Sequence, residues 1–451
     1  MTKALTITVL PYSPDPLGMF ACLRVRPGAV LLDSGRPGTT GRFDIMSSDP
    51  IATLEVASAG ETRLISDQLQ LPNHLANNAF GQQQWLLAQL VTPNEPSELP
   101  FLGGLIGYWS YDLGRDTLSI PTHQVSAVSL PHARLGLYDW CITLDHVTKQ
   151  AWLVATSERR ERVEAWLAEP TQSTAPFALS SAFQSELSHD QYVTRFNTVQ
   201  RYIRAGDCYQ INLAQRFYAD YQGDEWQAYL QLRSATPTPF SGFMAWDDKA
   251  ILSLSPERFI QCRNRQVETR PIKGTRPRGA TPEQDQALAT ELLSSRKDRA
   301  ENVMIVDLLR NDLGRVCLPG SIRVPQLCQL ESYPNVHHLV SVVQGTLADS
   351  YTPLALLEAA FPGGSITGAP KIRAMQIIDE LEPCQRSVYC GSLGYVDVRG
   401  SMDTSIAIRT MVAEAGRVHV WGGGGLVADS QAEEEYTETL DKIRHLIAAL
   451  E

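Results

Sequence analysis

The densest chemistry in the sequence is Thr269-Arg-Pro-Ile-Lys-Gly-Thr-Arg-Pro-Arg-Gly279, where Lys273 stands among Arg270, Arg276 and Arg278. A lysine there is either a solvated loop cation or an amine whose proton affinity the arginines lower enough to make it a nucleophile. Two acid pairs repeat one spacing: Asp298 with Glu301, and Glu435 with Glu438. Residues three apart share a helix face, so each pair is either a solvated face or half of a site for a hard cation, magnesium before others. The run Phe361-Pro-Gly-Gly-Ser-Ile-Thr-Gly-Ala-Pro-Lys371 offers backbone N–H groups, the Ser365 and Thr367 hydroxyls and Lys371 to a carboxylate or phosphate, without matching a Walker loop. Four glycines, 422–425, follow Trp421 and would let a ligand lie against bare backbone, and Arg409 could grip a carboxylate bidentately.

These residues need a frame. Residues 267–272 read as a strand after an Asn264-Arg265 turn, and Gly274 is expected to end it just past Lys273. Residues 297–312 read as a helix, and so does the segment carrying Glu435 and Glu438, which Ser430 and Glu433 are predicted to cap. Residues 405–410 read as an alternating strand with Arg409 opposite Ile406 and Ile408. Ser188 and Gln191 form a capping-box pattern for a helix that stops at Gly206. Residues 208–217 alternate as a strand, 224–233 read as a helix, and 240–246 pair with 250–254 as a hairpin.

Upstream, short apolar runs at 5–10, 29–32, 51–56, 102–109, 135–144 and 151–155 read as strands of a mainly antiparallel sheet, followed by a helix over 157–169. Strands adjacent in sequence favour an α+β fold with large sheets over a doubly wound parallel one. The polar, proline-containing stretch after that helix divides the chain into an N-terminal region 1–169, a linker 170–187 and a catalytic region 188–451.

The 451 residues are 43% hydrophobic and 20% charged, enough for a substantial core. A formal net charge of -11 argues against a general nucleic-acid or anionic-membrane binder. No apolar run reaches a membrane span and no secretory signal opens the chain, so a cytoplasmic location is expected. Eight cysteines without a C-x-x-C pair fit reduced core thiols, Cys390 included.

The order of motifs over residues 188–445 resembles the chorismate-utilising enzymes: Ser255-Pro-Glu-Arg-Phe259, the 271–279 segment, Glu301-Asn-Val-Met-Ile-Val-Asp-Leu-Leu-Arg-Asn-Asp312, His337-His-Leu-Val-Ser341, Gly364-Ser-Ile-Thr-Gly-Ala-Pro-Lys371 and the glycine run. Leu31-Leu-Asp-Ser34 and Gly41-Arg-Phe-Asp44 extend the likeness to the N-terminal half. The resemblance implies large antiparallel sheets in a sandwich with helices outside, as in the anthranilate synthase large subunit. Within the family, anthranilate-forming members carry alanine where Lys273 stands and aminodeoxychorismate-forming members carry lysine. It therefore implies conversion of chorismate and ammonia to 4-amino-4-deoxychorismate, with Lys273 as covalent nucleophile at C2 and Glu257 as the acid that protonates the C4 hydroxyl.

Carried over the same way, Glu301 and Glu438 become Mg2+ ligands supported by Asp298 and Glu435, Asp298 standing where some relatives have glutamate. His338, Ser365, Thr367, Tyr395, Arg409, Gly423, Gly425 and Lys442 become substrate contacts. Ser34, Arg42, Phe43, Pro239, Phe240 and Ser241 match a tryptophan pocket, with Asp33 in place of the family's glutamate. No glutaminase elbow is present, so a separate glutamine amidotransferase subunit is the implied ammonia source. Anthranilate or isochorismate formation on the same scaffold, or a non-catalytic amino-acid-binding regulator, are the competing readings.

Overall fold

Short apolar runs punctuated by glycine, proline and aspartate form strands rather than long helices, and in the computed structural model they gather into two large antiparallel sheets. The structure describes residues 5–35, 41–57, 61–76, 78–92, 97–171, 174–333 and 336–451. Among these, the first sheet has 13 strands, in the order Leu5–Leu10, Gln150–Thr156, Cys141–Asp145, Phe43–Ser47, Val30–Asp33, Phe240–Trp246, Lys249–Ser255, Thr410–Glu414, Arg417–Leu426, Gln210–Gln222 and Ala178–Leu179, with two short strands beside Gln210–Gln222. The second has 11, running Ile272–Pro277, Val336–Thr346, Gln266–Thr269, Arg258–Arg263, Met402–Ile406, Ser392–Asp397, Gly104–Trp109, Ala133–Tyr138, Ala52–Val56 and Thr62–Ile65, with Arg323–Ser332 beside Val336–Thr346. This is the expected α+β sandwich.

One buried cluster takes side chains from both sheets, Ile211, Leu213 and Val412 from the first and Leu105, Ile260 and Ile406 from the second. On its other face the first sheet is covered by helices whose Phe20, Val163, Trp226, Tyr229 and Ile443 form a second cluster. Strands such as Gly104–Trp109 and Cys141–Asp145 are buried along their whole length, which is why their sequences read as continuous apolar runs.

Both sheets are built across the expected division at 170–187. Val30–Asp33 pairs with Phe240–Trp246, and Gly104–Trp109 pairs with Ser392–Asp397. The linker is not a free spacer either: Ala178–Leu179 and Gln184–Ser185 pair with Gln210–Gln222. Its residues 172 and 173 lie outside the described residues. The expected strand 135–144 is two strands, because the chain leaves the second sheet after Tyr138 and enters the first at Cys141. The helix His189–Ala205 carries its capping box and ends at Gly206 in the left-handed conformation. All eight cysteines are free and seven are buried. No helix among the described residues is long and apolar enough to cross a membrane.

Arg386 ties several elements at the core. Fully buried, it donates to Glu382 at 2.6 and 2.9 Å, to Ile366 O at 2.9 Å and to Asn212 O at 2.6 Å, and stacks 4.7 Å from the Tyr111 ring. Removing one partner leaves the other charge buried and alone. Arg386→Met is therefore expected to lower unfolding free energy by about 3–5 kcal/mol, measured by urea denaturation.

Candidate active site

Lys273 lies within the strand Ile272–Pro277, one residue before a bulge, rather than at a strand end. The register against Val336–Thr346 slips between Lys273 and Thr275, with Gly274 at φ +74°. A Cβ at Gly274 would lie 2.8 Å from Leu292 Cδ1 and 3.0 Å from Asp298 Cβ. The bulge and the bare glycine thus let the helix Arg296–Gly314 dock directly over the lysine strand.

Glu257 and Arg409 arrive where two neighbouring strands change sheets together. Lys249–Ser255 and Arg258–Arg263 belong to different sheets, as do Met402–Ile406 and Thr410–Glu414. The crossings are bonded to each other, Ile406 N to Glu257 O at 3.0 Å and Leu254 N to Arg409 O at 3.0 Å. Arg409 is accordingly not on the alternating strand expected for it. It sits in the connector at φ +50°, and its guanidinium has no carboxylate within ion-pair distance among the described residues.

These groups line a cavity of about 560 Å³ together with His338, Ser365, Gly423, Gly425, Asp298, Glu301, Glu438 and Lys442. Ser365 bridges the two central ones: its carbonyl accepts from Lys273 Nζ at 3.2 Å and its hydroxyl donates to Glu257 Oε1 at 3.1 Å. Burial pushes the Glu257 carboxyl up to about 7, against the Lys273 charge and the Ser365 bond. His338 is pulled down to about 4 by burial and by Arg409, so it is neutral, and its Nδ1 shares a 2.9 Å bond with Thr275 Oγ1.

The acids come from two helices. Arg296–Gly314 supplies Asp298 and Glu301, and Ala432–Ala448 supplies Glu435 and Glu438. Burial raises Glu301, opposed by Lys273 and Lys297 and reinforced by Asp298 and Glu438. Burial also works against Glu438, but Lys442, Lys297 and Lys273 outweigh it and hold that carboxyl low. Among the described residues no three His, Cys, Asp or Glu side chains form a ready ligand cluster. Glu435 Oε2 is nevertheless buried and unpartnered, and the point where Gly424 lacks a Cβ lies 3.1 Å from it and 3.5 Å from Glu438 Oε1. A magnesium ion that keeps water and substrate ligands needs only one or two carboxylates, so the donor set fits it.

Residues 28–448 match the family model described as chorismate binding enzyme. The chain belongs to this family. It is 46% identical over 456 residues to aminodeoxychorismate synthase component 1 of Salmonella typhimurium, covering 100% of this chain and 99% of the relative. The component 1 of Escherichia coli is 47% identical over 436 residues, 96% and 95% of the two chains. Among solved structures, anthranilate synthase component I from Streptococcus pneumoniae superposes with a TM-score of 0.79 at 32% identity, covering 91% of this chain and 93% of that one.

Several expectations for a chorismate-binding chain need correcting. Tyr395 does not reach this cavity; it lines a second one of about 580 Å³, beside the Phe101 ring, because its strand directs it to the opposite side. Thr367 is fully buried with its hydroxyl donated to Gly363 O, and Lys371 is held by Asp312 at 2.7 Å, so of that loop Ser365 presents its hydroxyl to the cavity. Ser430 is not the helix cap, a position taken by Gln431; its hydroxyl pins Glu435 Oε1 at 2.6 Å. Lys442 does line the cavity, bonded to Gly423 O at 2.8 Å and Glu438 at 2.6 Å. The arginines around Lys273 are each paired with acids, Arg270 with Glu331, Arg276 with Glu291 and Asp298, and Arg278 with Asp285.

In the second cavity Arg42, Phe43, Pro239, Phe240 and Ser241 are present as expected. Ser34 is turned away, its hydroxyl donated to Asp44 at 2.7 Å. The Asp33 carboxylate is held by Arg233, by Tyr229 at 2.9 Å and by Gly35 N at 2.7 Å. Lys297 and Asn212 are among the lining residues of the first cavity that were not singled out in the sequence. Lys297 sits 3.4 Å from Glu435 and one helical turn before Glu301, a spacing that could have revealed it. Asn212 lies in the first half of Gln210–Gln222, which is buried on both faces, and the alternation that marks the strand does not say which of its residues meets a cavity.

Glu257 binds its proton more tightly when folded than at its ordinary value of 4.5. Its native proton is retained while the unfolded carboxyl ionises, so stability falls as pH rises from about 4.5 to about 7 and then levels. Glu257→Gln removes that slope. Its unfolding free energy relative to the unaltered chain is expected to climb by up to about 3 kcal/mol across this window, followed by denaturant titration at successive pH values.

Proposed function

We propose that the chain converts chorismate and ammonia to 4-amino-4-deoxychorismate as the chorismate-processing component of a two-part synthase. The observation that carries this is the Lys273–Ser365–Glu257 chain, which sets an amine and a carboxyl titrating near neutrality at one wall of the cavity. The full-length similarity to the two enterobacterial component 1 proteins supports the same reading.

In the first displacement the neutral Lys273 amine forms a bond to C2, both ring double bonds shift by one position, and the C4 hydroxyl leaves as water with the proton of Glu257. In the second, ammonia bonds to C4, both double bonds return, and the C2–N bond breaks with its electron pair going back to the lysine. The Glu257 carboxylate takes the proton that the new ammonium gives up. Arg409 is free to hold a substrate carboxylate bidentately, and neutral His338 presents an uncharged edge to the ring. Glu301 and Glu438, backed by Asp298 and Glu435, would hold Mg2+, which supplies positive charge to a substrate carboxylate. Ammonia from a glutamine amidotransferase subunit is part of this reading, supported by the designation of the relatives as component 1. So is a tryptophan in the second cavity, supported by the Phe43 and Phe240 rings and the Arg42 guanidinium 4.6 Å over Phe43.

The test is to incubate the purified chain with chorismate, Mg2+ and ammonium and identify the product by mass spectrometry. 4-Amino-4-deoxychorismate is expected, and anthranilate with pyruvate would overturn the assignment. Without ammonia, a chorismate-derived adduct should accumulate on the Lys273 peptide. Lys273→Ala is expected to lose that adduct and at least about a hundredfold in turnover; undiminished turnover would refute the covalent role.

A further inference from the structure

Strand Gln210–Gln222 carries two side-chain amide oxygens that no group among the described residues satisfies. Gln210 Oε1 and Asn212 Oδ1 are both buried without a hydrogen-bond partner, and the two residues are 1% and 7% exposed. Two apart on one strand, they face the same side, and Asn212 lines the cavity of Lys273 and Glu257. The Asn212 backbone is locked on both sides, its N–H on Thr367 O at 2.8 Å and its carbonyl under Arg386 at 2.6 Å, so the amide is held in place. Opposite it in the ladder is Gly425. The point where Gly425 lacks a Cβ is in collision distance of Gln210 Nε2 and 3.8 Å from Lys273 Nζ, so the Gln210 amide borders the space beside the lysine.

A buried unpaired amide oxygen costs about 1–3 kcal/mol, and the one on Asn212 belongs to a residue of the cavity wall, with Gln210 next to it on the same side of the strand. We propose that Gln210 and Asn212 form the receptor for the ammonia nucleophile, an inference that rests on the function assigned above. Ammonia must attack with its lone pair while its N–H bonds are held by acceptors. A carboxylate would favour ammonium, which has no lone pair to give; a neutral amide oxygen holds ammonia in its reactive form. The place is also right. The attacked carbon and the carbon bonded to Lys273 are separated by one ring atom, so the second nucleophile must be held close to that lysine.

Asn212→Leu keeps the volume and removes the hydrogen-bonding group. With ammonium chloride at fixed pH as the nucleophile source, its KM for ammonia is expected to rise about tenfold, one hydrogen bond's worth. Its KM for chorismate and the rate of Lys273 adduct formation without ammonia should stay within about twofold. Gln210→Met provides a second test, read the same way, should Asn212→Leu not fold by circular dichroism. An unchanged ammonia KM, or a loss carried by chorismate KM or adduct formation, overturns the receptor. If the unaltered chain forms no 4-amino-4-deoxychorismate at any ammonia concentration, the functional reading falls and the receptor with it.

Discussion

Two antiparallel strands that leave one sheet and enter the other side by side are the constraint on which the site depends. A lone strand crossing between layers would strand its backbone N–H and C=O groups in the core. Here the paired crossings bond to each other through Ile406 and Glu257 and through Leu254 and Arg409, and the Ser255 hydroxyl closes on Ile406 O at 2.6 Å. The residues at the crossings have few other conformations open to them. Glu257 and Arg409 are therefore presented to the cavity by rigid backbone, and the positive φ of Arg409 is held by the neighbouring ladder rather than by its own preference.

Charge balance in the cavity follows from the same construction. Its lining holds Lys273, Arg276, Lys297, Arg409 and Lys442 against Glu257, Asp298, Glu301, Glu438 and Asp441. Cations and acids are equal in number, so the resting site is close to neutral. A dicarboxylate substrate would bring two further negative charges into a partly desolvated space. On the proposed function a divalent cation at the Glu301 and Glu438 side restores neutrality, while Arg409 meets the far carboxylate. Glu435 Oε2, unpartnered beside Gly424, is a further acceptor on that side.

Local signals carried much of this into the sequence. The capping box at Ser188, the 240–254 hairpin and the two acidic helices rest on caps, turns and periodicity acting within a few residues, and the fold kept them. What was not legible depended on partners distant in sequence. The 135–144 run conceals a change of sheet at Asp139-Trp140, Gly274 reads as a strand terminator but is a bulge, and Tyr395 and Arg409 take directions set by strands they meet only after folding. The arginines around Lys273 are the sharpest case. Nearness in sequence suggested cations crowding an amine, whereas each is drawn off to a carboxylate from elsewhere.

Three acids, Glu257, Glu301 and Glu438, feel the charge of Lys273. This changes how its amine could become a nucleophile. Neighbouring cations would expel the lysine proton to solvent, and Glu257 would have to find its own proton separately. A buried carboxyl raised to about 7 is instead a competent acceptor for the proton of the amine, and Ser365 touches both groups. On the proposed function, moving one proton from Lys273 to Glu257 would produce both species the first displacement requires, the free amine and the protonated acid, and the same proton would leave with the C4 hydroxyl as water. On that reading, burial of Glu257 is what would couple nucleophile and acid, because a fully solvated carboxylate would be too weak a base to take the proton and too poor a source to deliver it at neutral pH.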